Sequence, residues 1–149
     1  MIAGKVMSTK LVSLTLDATV KEAVKLFRES TLHVFPVLDH EGKPVGIVSA
    51  RSILHFAVPD YASSEMVAVM GAGPDVKSVY KNLEAELDQP IRDVMNQSIE
   101  TVDANMSISA VAAMLINLKS DIHIVLVIDE AGKLAGIISA RDIVCRLPE

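Results

Sequence analysis

The chain has 149 residues, half of them hydrophobic, with no Trp, two Tyr and three Phe, so its core is aliphatic and large enough to close without staples. Fourteen Lys and Arg against 19 Asp and Glu give a net charge of −5, and the basic residues are scattered, which speaks against a nucleic-acid surface. The lone Cys145 excludes an internal disulfide, the four histidines lack metal-ligand spacing, and no apolar run reaches the ~18 residues of a bilayer span.

In chain order, the opening MIAGKVMSTKLVSL lacks the basic and apolar regions of a secretory signal, so a cytoplasmic location with no membrane partner is expected. A short strand is predicted over 11–14. Val20, Ala23, Val24 and Phe27 recur at i, i+3, i+4 and i+7 with charged residues between them, which is one apolar stripe of a helix. Thr19 followed three positions later by Glu22 is a capping box that fixes its start. Residues 33–38 and 44–49 read as strands joined by a turn over 39–43, and a helix follows from about Arg51. The segment 55–89 holds two candidate helices. One spans 60–70, stopped by Gly71-Ala72-Gly73; the other begins at Pro74-Asp75, carries Val76, Val79, Tyr80, Leu83 and Leu87 on one stripe, and ends before Pro90.

The remainder repeats the beginning. Met7 aligns with Met95, 88 residues on, and the same shift takes Thr19-Val20 to Ser107-Ile108 and Phe27 to Leu115. After a two-residue insertion near Lys119-Ser120 the shift becomes 90, and Gly46-Ile47-Val48-Ser49-Ala50-Arg51-Ser52-Ile53 falls on Gly136-Ile137-Ile138-Ser139-Ala140-Arg141-Asp142-Ile143. The organisation is a first unit over 1–54, a helical connector over 55–89 and a second unit over 90–149. The second unit's helix, 107–118, is apolar nearly all round. Burial on more than one side is expected, against the connector or against another subunit.

Two such units, each entered by Val-Met (Val6-Met7, Val94-Met95) and closing on Gly-hydrophobic-hydrophobic-Ser-x-x, resemble the CBS domain family arranged as a tandem pair, the Bateman module. The resemblance covers both ends of the chain and leaves only the connector outside. It implies an α/β fold (an α+β sandwich) in which each copy is a mostly three-stranded sheet carrying two helices, and the sheets pair about a pseudo-two-fold axis. Two clefts result. In many members one or both hold AMP, ADP or ATP, and S-adenosylmethionine is compatible with the same features. A regulatory sensor with no obligatory cofactor is implied, with homodimer formation and an effector protein as partner.

The residue types suit that chemistry. Gly136 admits a ligand or a neighbouring backbone, and the Ser139 hydroxyl can donate to a phosphate or accept from a ribose. An ionised Asp142 can accept from both ribose hydroxyls, and Arg141 supplies charge for phosphate. Carried over from the family, site A comprises Met7, Val12 and Leu32 around the adenine, closed by Ile137, with Ser139, Arg141, Asp142 and, on the phosphate side, His123. The related site B comprises His33, Ile47, Ser49, Arg51 and Ser52, with Met95 and Ile122 from the second copy. There Ser52 stands where the ribose-binding Asp is expected, so site B is expected weak or empty. Leu126 in place of Pro36 alters the strand beside the base.

Plainer roles stand beside these. Asp142 can cap a helix, Ser49 and Ser139 can satisfy local backbone, Arg51 and Arg141 can be solvated, and His33 and His123 can be structural. The chain has no Gly-x-Ser-x-Gly, His-Glu-x-x-His or Walker loop and no Cys/His pair, so no catalysis is expected. The competing reading is a purely structural dimerisation module that binds no nucleotide.

Overall fold

The computed structural model describes residues 1–58, 76–118 and 123–146; the predicted helix over 60–70, its glycine stop and the insertion at Lys119-Ser120 lie outside the described residues. Two three-stranded sheets form. The first holds β1 (Leu14–Thr15), β2 (Val34–Leu38) and β3 (Pro44–Ser49), and the second β4 (Thr101–Asp103), β5 (Ile124–Ile128) and β6 (Leu134–Ser139). Around them lie α1 (Ala3–Val6), α2 (Val20–Glu29), α3 (Ala50–Ala57), α4 (Val76–Glu86), a 3-10 turn (Ile91–Asp93), α5 (Ile108–Asn117) and α6 (Ala140–Val144). This is the α+β tandem architecture implied by the repeat.

Each sheet has the same pairing, a parallel first strand and an antiparallel hairpin, with Val34 opposite Ser49 and, 90 residues on, Ile124 opposite Ser139. Gly42 and Gly132 turn the two hairpins at φ of 81°, a conformation that glycine adopts without steric cost. Asp39 Oδ1 accepts from the N–H groups of Lys43 and Glu41, both at 2.9 Å, and the Lys43 N–H above all holds this carboxyl below its usual range.

The first strand is shorter than predicted and shifted, at Leu14–Thr15 instead of 11–14. The second copy shows why. There the Leu126 N–H donates to the Glu100 carbonyl at 2.9 Å, and β4 runs for three residues. The equivalent donor in the first copy is Pro36, which has no N–H, so β1 cannot zip as far and residues 11–13 leave the sheet.

The cores do not follow the repeat boundaries. Ala3 is fully buried in the second core, with Met7 packed against it, while Ile91 and Val94 belong to the first. The N–H groups of Ala3 and Gly4 donate to Met106 and Ala104 at 2.8 Å, and Ile91 donates to Ala18 at the same distance. Each copy therefore lends its leading segment to the other. Strand glycines make room for the exchange: a Cβ on Gly136 would lie 2.7 Å from Met7 Cγ, and one on Gly46 would lie 2.9 Å from Met95 Cγ. The close approach expected at Gly136 is thus made by Met7, whose side chain fills the space a ligand would have taken. A third cluster, built on Ile47 and Leu126 with Val34, Ile124 and Ile137, joins the two sheets face to face.

The helices meet their sequence expectations unevenly. The Thr19 hydroxyl accepts from Glu22 N–H at 3.4 Å and starts α2 as read. In α4, Leu83 packs on the first core and Asn82 donates to the Ala57 carbonyl at 2.9 Å, whereas Tyr80 is 64 % exposed, so the buried stripe is narrower than predicted. Helix α5 buries only Val111 and Leu115 and leaves Ile116 83 % exposed. The expected burial on more than one side is not supplied by the described residues of its own chain.

Glu86 ends α4 with Oε2 buried and without a hydrogen bond, and burial raises its pKa above the ordinary value; its place at a helix C-terminus adds to the cost of the charge. A raised folded-state pKa means stability is greatest below the unfolded pKa and falls as pH rises through the folded one. Glu86→Gln is expected to raise the melting temperature by about 1–2 °C at pH 7 and to give no gain below pH ~4, read by calorimetry across pH; the effect is small because the side chain is only half-buried.

Candidate functional site

The crossover segment after α1, the approach to β2, and the junction of β6 with α6 enclose a cleft of about 330 Å³ lined by Ser8, Lys10, Leu11, Val12, Thr31, Leu32, His33, Val34, Ile124, Ile137, Ser139, Arg141 and Asp142. Six of the residues expected in site A meet here: Val12, Leu32, Ile137, Ser139, Arg141 and Asp142. Two do not. Met7 is withdrawn against Gly136, and His123 lies on the outer face beside Ile116 and Val144. His33, expected in site B, lines this cleft instead, because it follows Leu32 into β2 on the same wall.

The cleft is apolar along one side, with Val12, Leu32, Val34, Ile124 and Ile137, and carries hydroxyls and charge at the other. Ser8 is fixed by two backbone bonds to Ile137, its N–H donating at 2.8 Å and its carbonyl accepting at 3.1 Å. Lys10 from one copy and Arg141 from the other bring positive charge, and neither forms an ion pair among the described residues. Ser8, Lys10, Leu11 and Thr31 were not singled out from the sequence. The signal was their adjacency to Met7, Val12 and Leu32.

Asp142 is neither a simple cap nor free. Ser139 is the N-cap of α6, and Asp142, at the third helical position, closes a capping box. Its Oδ2 accepts from the Ser139 N–H at 2.7 Å and from the Ser139 hydroxyl at 2.9 Å. Both bonds fall on one oxygen, and Oδ1 keeps its acceptor capacity for a ligand. The same box in the first copy is Ser49 with Ser52: the Ser49 N–H donates to Ser52 Oγ at 3.3 Å, and the hydroxyls are 3.0 Å apart. A single hydroxyl occupied in this way has no second oxygen to offer a ribose.

The cleft around that second box, about 400 Å³, is lined by Ser49, Arg51, Ser52, His55, Phe56, Asp93, Val94 and Asn96. Of the expected site B, Ser49, Arg51 and Ser52 are present. Ile47 is 1 % exposed in the inter-sheet cluster, Met95 packs at Gly46, His33 is in the other cleft, and Ile122 lies outside the described residues. Asp93, not anticipated, places a carboxylate here, which opposes an anionic ligand. Leu126, read as altering the strand beside the base, is fully buried in the inter-sheet cluster and lines neither cleft.

Known proteins were compared with this chain. The family model described as CBS domain matches residues 3–58 and 91–149. An uncharacterised protein of Methanocaldococcus jannaschii, MJ1426, is 24 % identical over 137 residues, covering 86 % of this chain and 80 % of that protein. Among solved structures, protein MJ1004 of Methanocaldococcus jannaschii superposes with a TM-score of 0.70 at 19 % identity over 97 % of this chain; this chain spans 58 % of the length of that one. The CBS-pair protein CBSX2 of Arabidopsis thaliana superposes at 0.76 with 20 % identity, over 97 % of this chain and 92 % of its own. A CBSX2 structure in complex with AMP superposes at 0.69 with 22 % identity, over 97 % and 93 %. At these identities the likeness is one of fold.

Proposed function

The chain belongs to the CBS domain family, and from that premise we propose that it is a non-catalytic sensor that binds one adenosine phosphate per chain in the cleft holding Asp142. The observation that carries this reading is the uncommitted Oδ1 of Asp142 in a cleft with an apolar wall. A carboxylate oxygen there suits a ribose, and the wall formed by Val12, Leu32 and Ile137 suits a flat base. Lys10 and Arg141 favour phosphate over the positive sulfonium of S-adenosylmethionine. The AMP complex of CBSX2, a protein of the same fold, supports the ligand class. The second cleft, with Ser52 committed to its cap and Asp93 in the lining, is left weak or empty.

Ligand gripping Lys10 and Val12 on one side and Ser139 to Asp142 on the other spans the segment through which the copies exchange their leading residues. Binding then biases the relative placement of the two halves, which an effector protein reads. A thermal-shift series with AMP, ADP, ATP, S-adenosylmethionine and GTP tests the assignment. At ~100 times the dissociation constant, an adenosine phosphate is expected to raise the melting temperature by about 5–10 °C. No shift with any adenosine compound would reject it.

The chain also carries an assembly face. Ala112, Leu115, Ile116, Ile143 and Val144 line an apolar groove of about 310 Å³ on the outside of α5 and α6, whereas the matching face of the first copy has α4 packed against α3. Helix α5 bears no charged residue. We assign this face to a second copy, giving a homodimer. Ile116→Lys is expected to convert dimer to monomer with the fold retained, read by sedimentation; a wild type that is already monomeric would contradict the assignment. No helix among the described residues is long and apolar enough to cross a membrane, and the exposed free thiol of Cys145 suits the reducing cytoplasm we assign.

A further inference from the structure

We infer that Pro36, through the N–H it lacks, is the residue that gives this cleft its preference for a base with an exocyclic amine. The inference rests on the reading of the cleft as a nucleoside phosphate site and deepens it. In the second copy the strand backbone is fully used: the Leu126 N–H takes the Glu100 carbonyl at 2.9 Å, and Thr101 pairs with Leu126 in β4. The 88- and 90-residue shifts put Val12 at the place of Glu100 and Pro36 at the place of Leu126. Pro36 cannot donate, so pairing begins only at Leu14 with Val37, and the Val12 carbonyl stays outside the ladder.

Val12 lines the cleft. An unpaired backbone carbonyl needs a donor, and water supplies one while the cleft is open. A base that excludes that water must replace the bond. The 6-amino group of adenine donates and can do so; the 6-oxo group of hypoxanthine or guanine accepts, and would face the carbonyl lone pairs. Leaving a polar group unpaired in a closed site discriminates more strongly than adding a favourable contact. The proline itself is fully buried in the middle strand and cannot touch the ligand, so it is a positioning residue. The second cleft has no such carbonyl, because the Leu126 N–H has consumed it.

The test compares AMP with IMP and with N6,N6-dimethyl-AMP by calorimetric titration of the wild type and of Pro36→Leu, the residue the second copy carries at that place. The wild type is expected to bind AMP about 10-fold or more tightly than either analogue. Pro36→Leu is expected to bring the AMP-to-IMP ratio close to one, with IMP affinity little changed. A merely structural role for the proline would lower both affinities together and leave the ratio intact, which overturns the inference. If Pro36→Leu does not fold, the dimethyl analogue decides on wild-type protein: equal affinity for it and for AMP overturns the inference. Absence of binding by AMP, IMP and the dimethyl analogue alike would overturn the underlying assignment of the site.

Discussion

Asp142→Ser is expected to weaken AMP binding by about 10- to 150-fold while moving the melting temperature by no more than ~2 °C. The reason lies in the first copy. Ser49 and Ser52 make the same capping box that Ser139 and Asp142 make, so a serine at the third helical position supports this junction without a carboxylate. What it cannot supply is a second oxygen. Asp142 spends Oδ2 on the box and keeps Oδ1, whereas a serine hydroxyl is consumed by the box alone. Asp142→Ala would remove the cap as well, at ~1 kcal/mol, and confuse the two roles. Titration calorimetry together with a thermal melt separates them: unchanged affinity would mean that Asp142 is only a cap.

Ile91→Ala is expected to cost about 2–5 kcal/mol, the range for emptying a fully packed aliphatic site, and to lower the melting temperature by ~10 °C. Ile91 is fully buried among Leu14, Ala18, Val20 and Val37, residues of the other copy, and its N–H is held by the Ala18 carbonyl. Because Ala3 and Met7 make the reverse crossing into the second core, neither half keeps its packing when the other melts. A single cooperative transition is expected in both wild type and variant, followed by circular dichroism and calorimetry. Two separated transitions, with only the first half shifted by the substitution, would show that the exchange does not couple the halves.

The hydrophobic period and the internal repeat made the helices and hairpins legible, since the two copies of Gly-hydrophobic-hydrophobic-Ser-x-x had to share one backbone. The motif residues of the first cleft followed from the same comparison, and Val12, Leu32, Ile137, Ser139, Arg141 and Asp142 do meet there. The exchange of leading segments was not legible: a repeat says which residues are equivalent and is silent on which copy each packs with. That silence withdrew Met7 and Met95 behind their glycines and left Ile47 and Leu126 between the sheets. His33 and His123 were interchanged for a related reason, since equivalence under the 90-residue shift does not tell which cleft each residue faces. The short β1 was readable in principle. Pro36 stands in a middle strand, where a missing N–H must leave a carbonyl unpaired, and that carbonyl belongs to the segment first read as strand.

Calorimetric titration of the wild-type chain with AMP, run beside GMP, bears most directly on the sensor assignment. The expected result is saturable binding of one AMP per chain, with GMP at least about 10-fold weaker. Binding of two equivalent AMP molecules per chain would contradict the inequality of the clefts, and no saturable binding of either nucleotide would contradict the assignment itself and leave the assembly face as what the fold provides.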